Sequence, residues 1–157
     1  LLSQNVLKMF SRMPSSNRRR VVWLINQDLE PQLPTLNIPV KTVDNSQNVG
    51  GSPVFVPPGG LSNAPYGNLL GRPILTTEAC ASVSSLGDII FADLEAYLSV
   101  VKTGGIRADT SIHVEFERDL MAFRFILRVG GQPWLSAPID RANGSNTLSH
   151  FVTLQAR

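Results

Sequence analysis

Cysteine, histidine and charge are all scarce in this 157-residue chain, and each scarcity removes a class of function. The single cysteine, Cys80, excludes an internal disulfide and any cysteine-built zinc site. No histidine lies near it in sequence, so it reads as a small buried thiol rather than a nucleophile. The only two histidines, His113 and His150, are far apart and fit neither H-E-x-x-H nor H-x-x-x-H. We therefore expect no metal and no cofactor. There is no G-x-S-x-G, and the glycine pairs at 50–51 and 59–60 fit no phosphate-binding fingerprint. No apolar run approaches the ~18 residues that span a bilayer, and no signal peptide is visible, so no membrane partner is expected. Charged residues make up 17% of the chain, below the roughly 25% usual for globular proteins. Such a polar-poor surface is compatible with burial against other copies. A net charge of +2 is too mild for a dedicated nucleic-acid binder, whose charge is clustered.

What the chain does have is alternation. In the stretch from Ser111 to Ile139, Ile112, Val114 and Phe116 alternate with His113, Glu115 and Glu117, and Phe123, Phe125 and Leu127 alternate with Arg124, Ile126 and Arg128. Period-two alternation specifies strands with one apolar face. Folded about Arg118–Met121, the pattern sets Phe116 opposite Phe123, Val114 opposite Phe125, Ile112 opposite Leu127, and Glu115 against Arg124. Gly130-Gly131 suits a tight reversal, after which Trp134 lies opposite Leu127. The expectation is a three-stranded antiparallel meander, apolar on one face and ion-paired on the other. Its apolar face needs cover, from this chain or from another copy. Glu115 with Glu117, or Asp88 with Asp93, could serve as acid/base pairs. Arg124 and Arg128 are placed to neutralise the former, which favours a structural ion-pair lattice. His113 reads as a surface imidazole on the same charged face.

Upstream, Leu2, Val6, Met9, Phe10 and Met13 fall at helical spacing over residues 1–13, and Pro14–Asn17 ends that helix. Val21–Ile25 reads as a strand buried on both faces. Arg18, Arg19 and Arg20 precede it, either as a solvated strand entrance or as a contact for a polyanion or a neighbouring subunit. Asn26 is placed to cap a short helix over Gln27–Leu33. From Thr35 to Pro65 only Pro53–Val56 looks extended, and the rest reads as a projecting loop built for contact. Further strands are expected after Gly71-Arg72-Pro73, over Ile89–Ala92, over Leu98–Val101 and over Phe151–Leu154. Gly104-Gly105 reads as a turn and Asp140–Asn146 as a loop. Trp23 and Trp134 both sit in apolar runs and read as core. The chain starts with Leu1 within a helical pattern, which leads us to expect that it continues a longer polypeptide.

The order of three segments, GNLLGRPILTTEAC (67–80), GDIIFADLEAYLSVV (87–101) and GGIRADTSIHVEFERDLMAFRFILRV (104–129), resembles the C-terminal part of tailed-bacteriophage major capsid proteins with the Hong Kong 97-type shell fold. The matching positions are Gly67, Leu69, Gly71 and Pro73; Gly87-Asp88 with Ile89-Ile90; Val114 to Asp119; and Phe123 to Arg128. A helix leading into VVWLIN fits the same pattern. The resemblance implies an α+β protein with an axial α/β lobe over 1–105, a peripheral antiparallel meander over 106–139, and a C-terminal loop and short strand over 140–157. It implies that an N-terminal arm and a spine helix precede residue 1. It further implies a non-enzymatic structural protein of the virion capsid, made in a bacterial host's cytoplasm. That protein self-assembles into pentamers and hexamers, with packaged DNA, and a scaffold, protease or portal, as further partners. On this reading the subunit-interface candidates are Arg18, Arg19, Arg20, Phe55, Tyr66, Glu115, Glu117, Arg124 and Arg128. A nucleic-acid-binding module using Arg18–Arg20 is the alternative, and a hydrolase would need a cleft with a perturbed acid or base.

Overall fold

A computed structural model describes residues 1–41, 48–59 and 65–156. The described elements, in chain order, are helix α1 (Ser3–Ser11) and strands β1 (Val22–Ile25), β2 (Asn37–Lys41), β3 (Asn48–Pro53), β4 (Phe55–Val56), β5 (Asn68–Leu69) and β6 (Arg72–Thr76). They continue with β7 (Ile89–Ala92), β8 (Tyr97–Val101), β9 (Arg107–Ser111), β10 (Ala122–Ile126), β11 (Val129–Pro133) and β12 (Phe151–Thr153). The chain divides into two compact units: Leu1–Glu95 with Leu135–Arg157, and Ala96–Trp134.

The first unit is built on a mixed sheet in the order β12-β7-β1-β6-β5-β4. β1 lies at its centre, parallel to β6 and antiparallel to β7. The apolar run Val21–Ile25 places Val21, Trp23 and Ile25 in the core, while Val22 and Leu24 are only half-buried, so the strand is not buried equally on both faces as its composition suggests. Trp23 is fully buried. Its ring stacks on Phe91 with centroids 4.1 Å apart, and its indole N–H donates to the Leu69 carbonyl at 3.0 Å. The buried indole thus finds the polar partner that such a ring requires.

α1 closes this core with Val6 and Met9 buried and Phe10 packed against them, and Met13, two residues past the helix end, is buried beside them. The amphipathic reading holds over most of the helix. Leu2, however, precedes the first helical turn and is 67% exposed. Asn26 does what its position suggests. Its side chain accepts from the Asp28 N–H at 2.9 Å, capping a 3-10 helix over Gln27–Gln32. The same side chain donates to the Cys80 carbonyl at 3.1 Å, and its backbone N–H donates to the Asp88 carbonyl. One residue therefore ties the end of the central strand to the segment that leads into β7.

The segment expected to be a loop over Thr35–Pro65 carries more order than its composition suggests. β2 and β3 form an antiparallel pair with Pro39 opposite Gly51. Proline has no N–H to donate, and here it sits in a two-stranded ribbon where every strand is an edge, the setting in which a sheet accepts it. Val54 then enters the core, its N–H donating to the Leu36 carbonyl. The remaining parts of the expected loop, at 42–47 and 60–64 and including Gly60, lie outside the described residues. The strand expected after Gly71-Arg72-Pro73 forms as β6 and begins at Arg72, one residue before Pro73. Leu70 and Gly71, at φ 51° and 71°, occupy the left-handed region at the β5–β6 turn.

The second unit contains the main correction. The three-stranded meander does not form. Instead β10 pairs with β9 and β11 pairs with β8, as separate two-stranded ladders. Phe123 faces Thr110 rather than Phe116, Phe125 faces Ala108 rather than Val114, and Arg124 faces Asp109 rather than Glu115. Residues 112–121 form the connection, with a 3-10 turn over Phe116–Arg118 that closes on Asp119 at φ 51°. Leu127 is 54% exposed and Trp134, expected in the core, is 67% exposed. The Trp134 N–H donates to the Ala96 carbonyl, which places it past the end of the β8–β11 ladder rather than opposite Leu127. Gly130 and Gly131 do not make a turn either. They lie inside β11, opposite Val100 and Ser99. No residue from 96 to 134 is buried.

Candidate assembly surfaces

The three consecutive arginines do not act together. The Arg18 guanidinium lies over the Phe10 ring, 4.9 Å from its centroid, in a cation–π arrangement. Arg20 forms an ion pair with Glu95, both side chains being more than half exposed. Arg19 is exposed, and its carbonyl accepts from the Arg72 guanidinium at 3.0 Å. Two of the three are therefore engaged within the first unit, which weakens the reading of one basic patch.

Phe55 and Tyr66 come together although 11 positions apart in the numbering. They line a groove of about 430 Å³ with Leu33, Pro57, Pro58 and Ile74. The Phe55 ring crosses Gly67 so closely that a β-carbon there would stand 2.7 Å from it. This explains the glycine in steric terms.

In the second unit Asp109 and Glu115 are paired with arginines, though not the expected ones. Asp109 accepts from Arg124 at 2.8 Å and from Arg107 at 2.9 Å. These two guanidinium bonds, Arg124's first, hold its carboxyl below the ordinary value. Glu115 stands 3.8 Å from Arg118, so the expected Glu115–Arg124 pair is replaced at both ends. Glu117 and Asp119 are exposed on the 112–121 connection. Arg128 faces a pocket of about 330 Å³ with Lys102 and Arg107, over Gly104, Gly105 and Ile126. On the Phe123 side of the ladder, Phe123 and Phe125 are 63% and 70% exposed.

The residues that could do acid/base chemistry are otherwise occupied. Asp88 accepts from the Ser84 N–H and Asp93 from Asn17 and the Glu95 N–H. His150 stands 3.5 Å from Asp93. The alternation and turn rules that read the strands gave no sign of this Asn17–Asp93–His150 cluster, because its members are distant in sequence. Burial, and secondarily the Asp88 charge, push the Cys80 thiol up, the opposite of what an activated nucleophile needs. His113 is exposed, its N–H donating to the Ser111 hydroxyl. Among the described residues no group of three or more His, Cys, Asp or Glu could hold a metal ion.

Comparison with known proteins gives a consistent answer. The model of the phage capsid family matches residues 2–143. No curated protein matches. A solved structure described as the capsid of an empty GTA particle computed with C5 symmetry superposes with a TM-score of 0.53 at 17% identity. The match covers 82% of this chain and 40% of that one, so this chain spans two fifths of the other's length. At that identity the likeness concerns the fold: a mixed helix-and-strand subunit like a phage-like capsid protein.

Proposed function

Because this chain belongs to the phage capsid family, and is thus a structural capsid protein, we propose that it works by self-assembly into the pentamers and hexamers of an icosahedral shell around DNA. The observation that carries this reading is the second unit. Thirty-nine consecutive residues, Ala96–Trp134, form two ladders with no buried side chain, while Phe116, Phe123, Phe125 and Trp134 are each more than 60% exposed. A two-stranded ribbon is marginal alone in water. Apolar surface on this scale is the mark of an interface, and copies of the same chain are the simplest partner for it.

The fold proposed for the whole is the Hong Kong 97-type. The first unit corresponds to its axial lobe and the ladders to its peripheral strands, with cover for the ladders coming from a spine helix or from neighbours. DNA inside the shell meets the protein through charge, without base reading, so its binding falls steeply with salt. Its residence in the virion and its production in a host cytoplasm belong to the same proposal, as do dealings with a scaffold, protease or portal. Arg18 and Arg20 already have partners in the fold, so nothing favours a separate nucleic-acid module over this reading.

The test is the association state of the whole chain, by analytical ultracentrifugation and negative-stain microscopy across a concentration series. Rings of five or six copies, or closed shells, are the expected result. A chain that stays monomeric at every concentration while remaining folded would sink the proposal.

A further inference from the structure

Resting on that reading, we infer that copies join head to tail through the second unit: the acidic connection 115–119 of one copy enters the basic pocket at Lys102, Arg107 and Arg128 of the next. The pocket is lined by three cations and no acid, over Gly104, Gly105 and Ile126. Arg107 shares Asp109 with Arg124. Lys102 and Arg128 make no ion pair among the described residues. The connection has the opposite character. Glu117 and Asp119 likewise make no ion pair there, Glu115 holds only the exposed Arg118, and Phe116 projects among them at 77% exposure. Two free cations on one surface are matched by two free acids on the other, with Phe116 for Ile126.

Within one copy these surfaces cannot meet. They stand at opposite ends of the same ladder: Arg107 pairs with Ile126 at the pocket end, Ser111 with Ala122 at the acidic end. Five paired positions at about 3.4 Å each hold them roughly 14 Å apart along the strands. A surface whose complement sits at the far end of its own molecule joins unlike ends. Such a heterologous contact closes into a ring or propagates. A two-fold pair that set each connection in the other's pocket would use up both surfaces and stop at a dimer, whereas a head-to-tail contact leaves one connection and one pocket open at the ends of every chain of copies.

Two single-cysteine additions test the contact without requiring a closed shell. Chains carrying E117C and chains carrying R128C, each otherwise complete, are mixed and oxidised. Cys80 is buried and does not compete. A disulfide that forms in the mixture, forms in neither variant alone, and forms more slowly in high salt is the expected result. Cross-linking of E117C chains with themselves, or a chain carrying both E117C and R128C that stops at a covalent dimer instead of forming longer covalent ladders, would overturn the head-to-tail geometry. If the unmodified chain forms rings yet the mixture does not cross-link, the inference fails and the capsid reading stands. If the mixture cross-links but no rings or shells form, the contact stands and the capsid reading fails.

Charge reversal supplies the second arm. R128E should weaken association about fivefold, as for one exposed ion pair, and E117R in the partner chain should restore it. Should R128E leave association unchanged and instead reduce retention of a DNA duplex, the pocket takes phosphate and the inference is wrong. Both positions are exposed, and circular dichroism verifies the fold of each variant.

Discussion

Arg124 donates to Asp109 across the β9–β10 ladder at 2.8 Å, from the position directly opposite it. Together with Arg107 it holds the Asp109 carboxyl below its ordinary 3.8. A carboxylate whose native pKa is depressed contributes stability that is complete above the unfolded value and is lost as pH falls through the native one. The clamp should therefore be indifferent to pH from neutrality down to about that ordinary value and weaken only below it. The Asp109 side-chain carboxyl, followed by NMR, should titrate below 3.8 and move up in R124Q. An ordinary or elevated midpoint in the native chain contradicts the geometry.

Gly131 lies against Tyr97, where a β-carbon would stand 2.5 Å from the ring and 2.9 Å from the Leu98 carbonyl oxygen. The carbonyl is backbone and cannot swing aside. G131A should therefore open the β8–β11 ladder at a cost of about 1–3 kcal/mol, measured as a rise in amide exchange over Tyr97–Val101. G130A is the internal control. A β-carbon at Gly130 meets nothing within 4 Å, so its exchange pattern should match the parent's. Equal effects from the two changes would refute the steric account.

Trp23 ties β1 to its neighbour β7 through its stack on Phe91 and, past β6, to β5 through its bond to the Leu69 carbonyl. W23A should lower the stability of the first unit by about 3–5 kcal/mol, read from denaturant midpoints. W23F keeps much of the volume but strands the Leu69 carbonyl, and should cost about 1–3 kcal/mol. A W23F loss as large as that of W23A would mean that the hydrogen bond, not the packing, dominates.

Asn26 both caps a helix and donates to the Cys80 carbonyl. N26D keeps the acceptor for the Asp28 N–H but loses the donor, and N26A loses both. The expected order of melting temperatures is parent, then N26D, then N26A, the last losing in stability the ~0.5–2 kcal/mol of a cap plus the ~0.5–1.5 kcal/mol of one hydrogen bond. N26D melting below N26A would show that its half-buried charge outweighs the cap.

The Cys80 thiol is buried, and burial, with the Asp88 charge adding to it, raises its pKa. Thiolate is the reactive form, so alkylation by iodoacetamide should be far slower in the folded chain than in urea. Rapid modification of the native protein would show that the 77–88 segment opens readily.

How much of this was legible in the sequence depends on how local the signal is. β1, β7, the Asn26 cap and the Gly104-Gly105 turn were readable because each is set by a few adjacent residues. Membership of the phage capsid family was readable too, from the order of three segments. The ladder register was not. The chain moved Phe123's partner from Phe116 to Thr110, six positions, and an even shift leaves the phenylalanines on one face and Arg124 on the other. Alternation therefore could not tell the two registers apart, and Asp109 offers Arg124 the same charge as Glu115. Gly130-Gly131 misled for a related reason. A glycine pair signals a positive φ or a close approach equally well, and here Gly131 answers to Tyr97. Of the candidate interface residues, Phe55 with Tyr66, and Arg128 with its pocket, were each placed on a concave surface. Arg18, over the Phe10 ring, fits the strand-entrance reading of the three arginines, while the Arg20–Glu95 pair joins residues too distant in sequence to be read.

The four strands from 97 to 133 are each paired along one side only. A segment with no interior and with open strand edges owes its order to whatever lies beside it. If that neighbour is another copy, its order obeys mass action. Diluting the protein below the dissociation constant of the assembly should then loosen Ala96–Trp134 while the sheet around Trp23 keeps its amide protection. The protein would report its own concentration through whether Ala96–Trp134 is ordered.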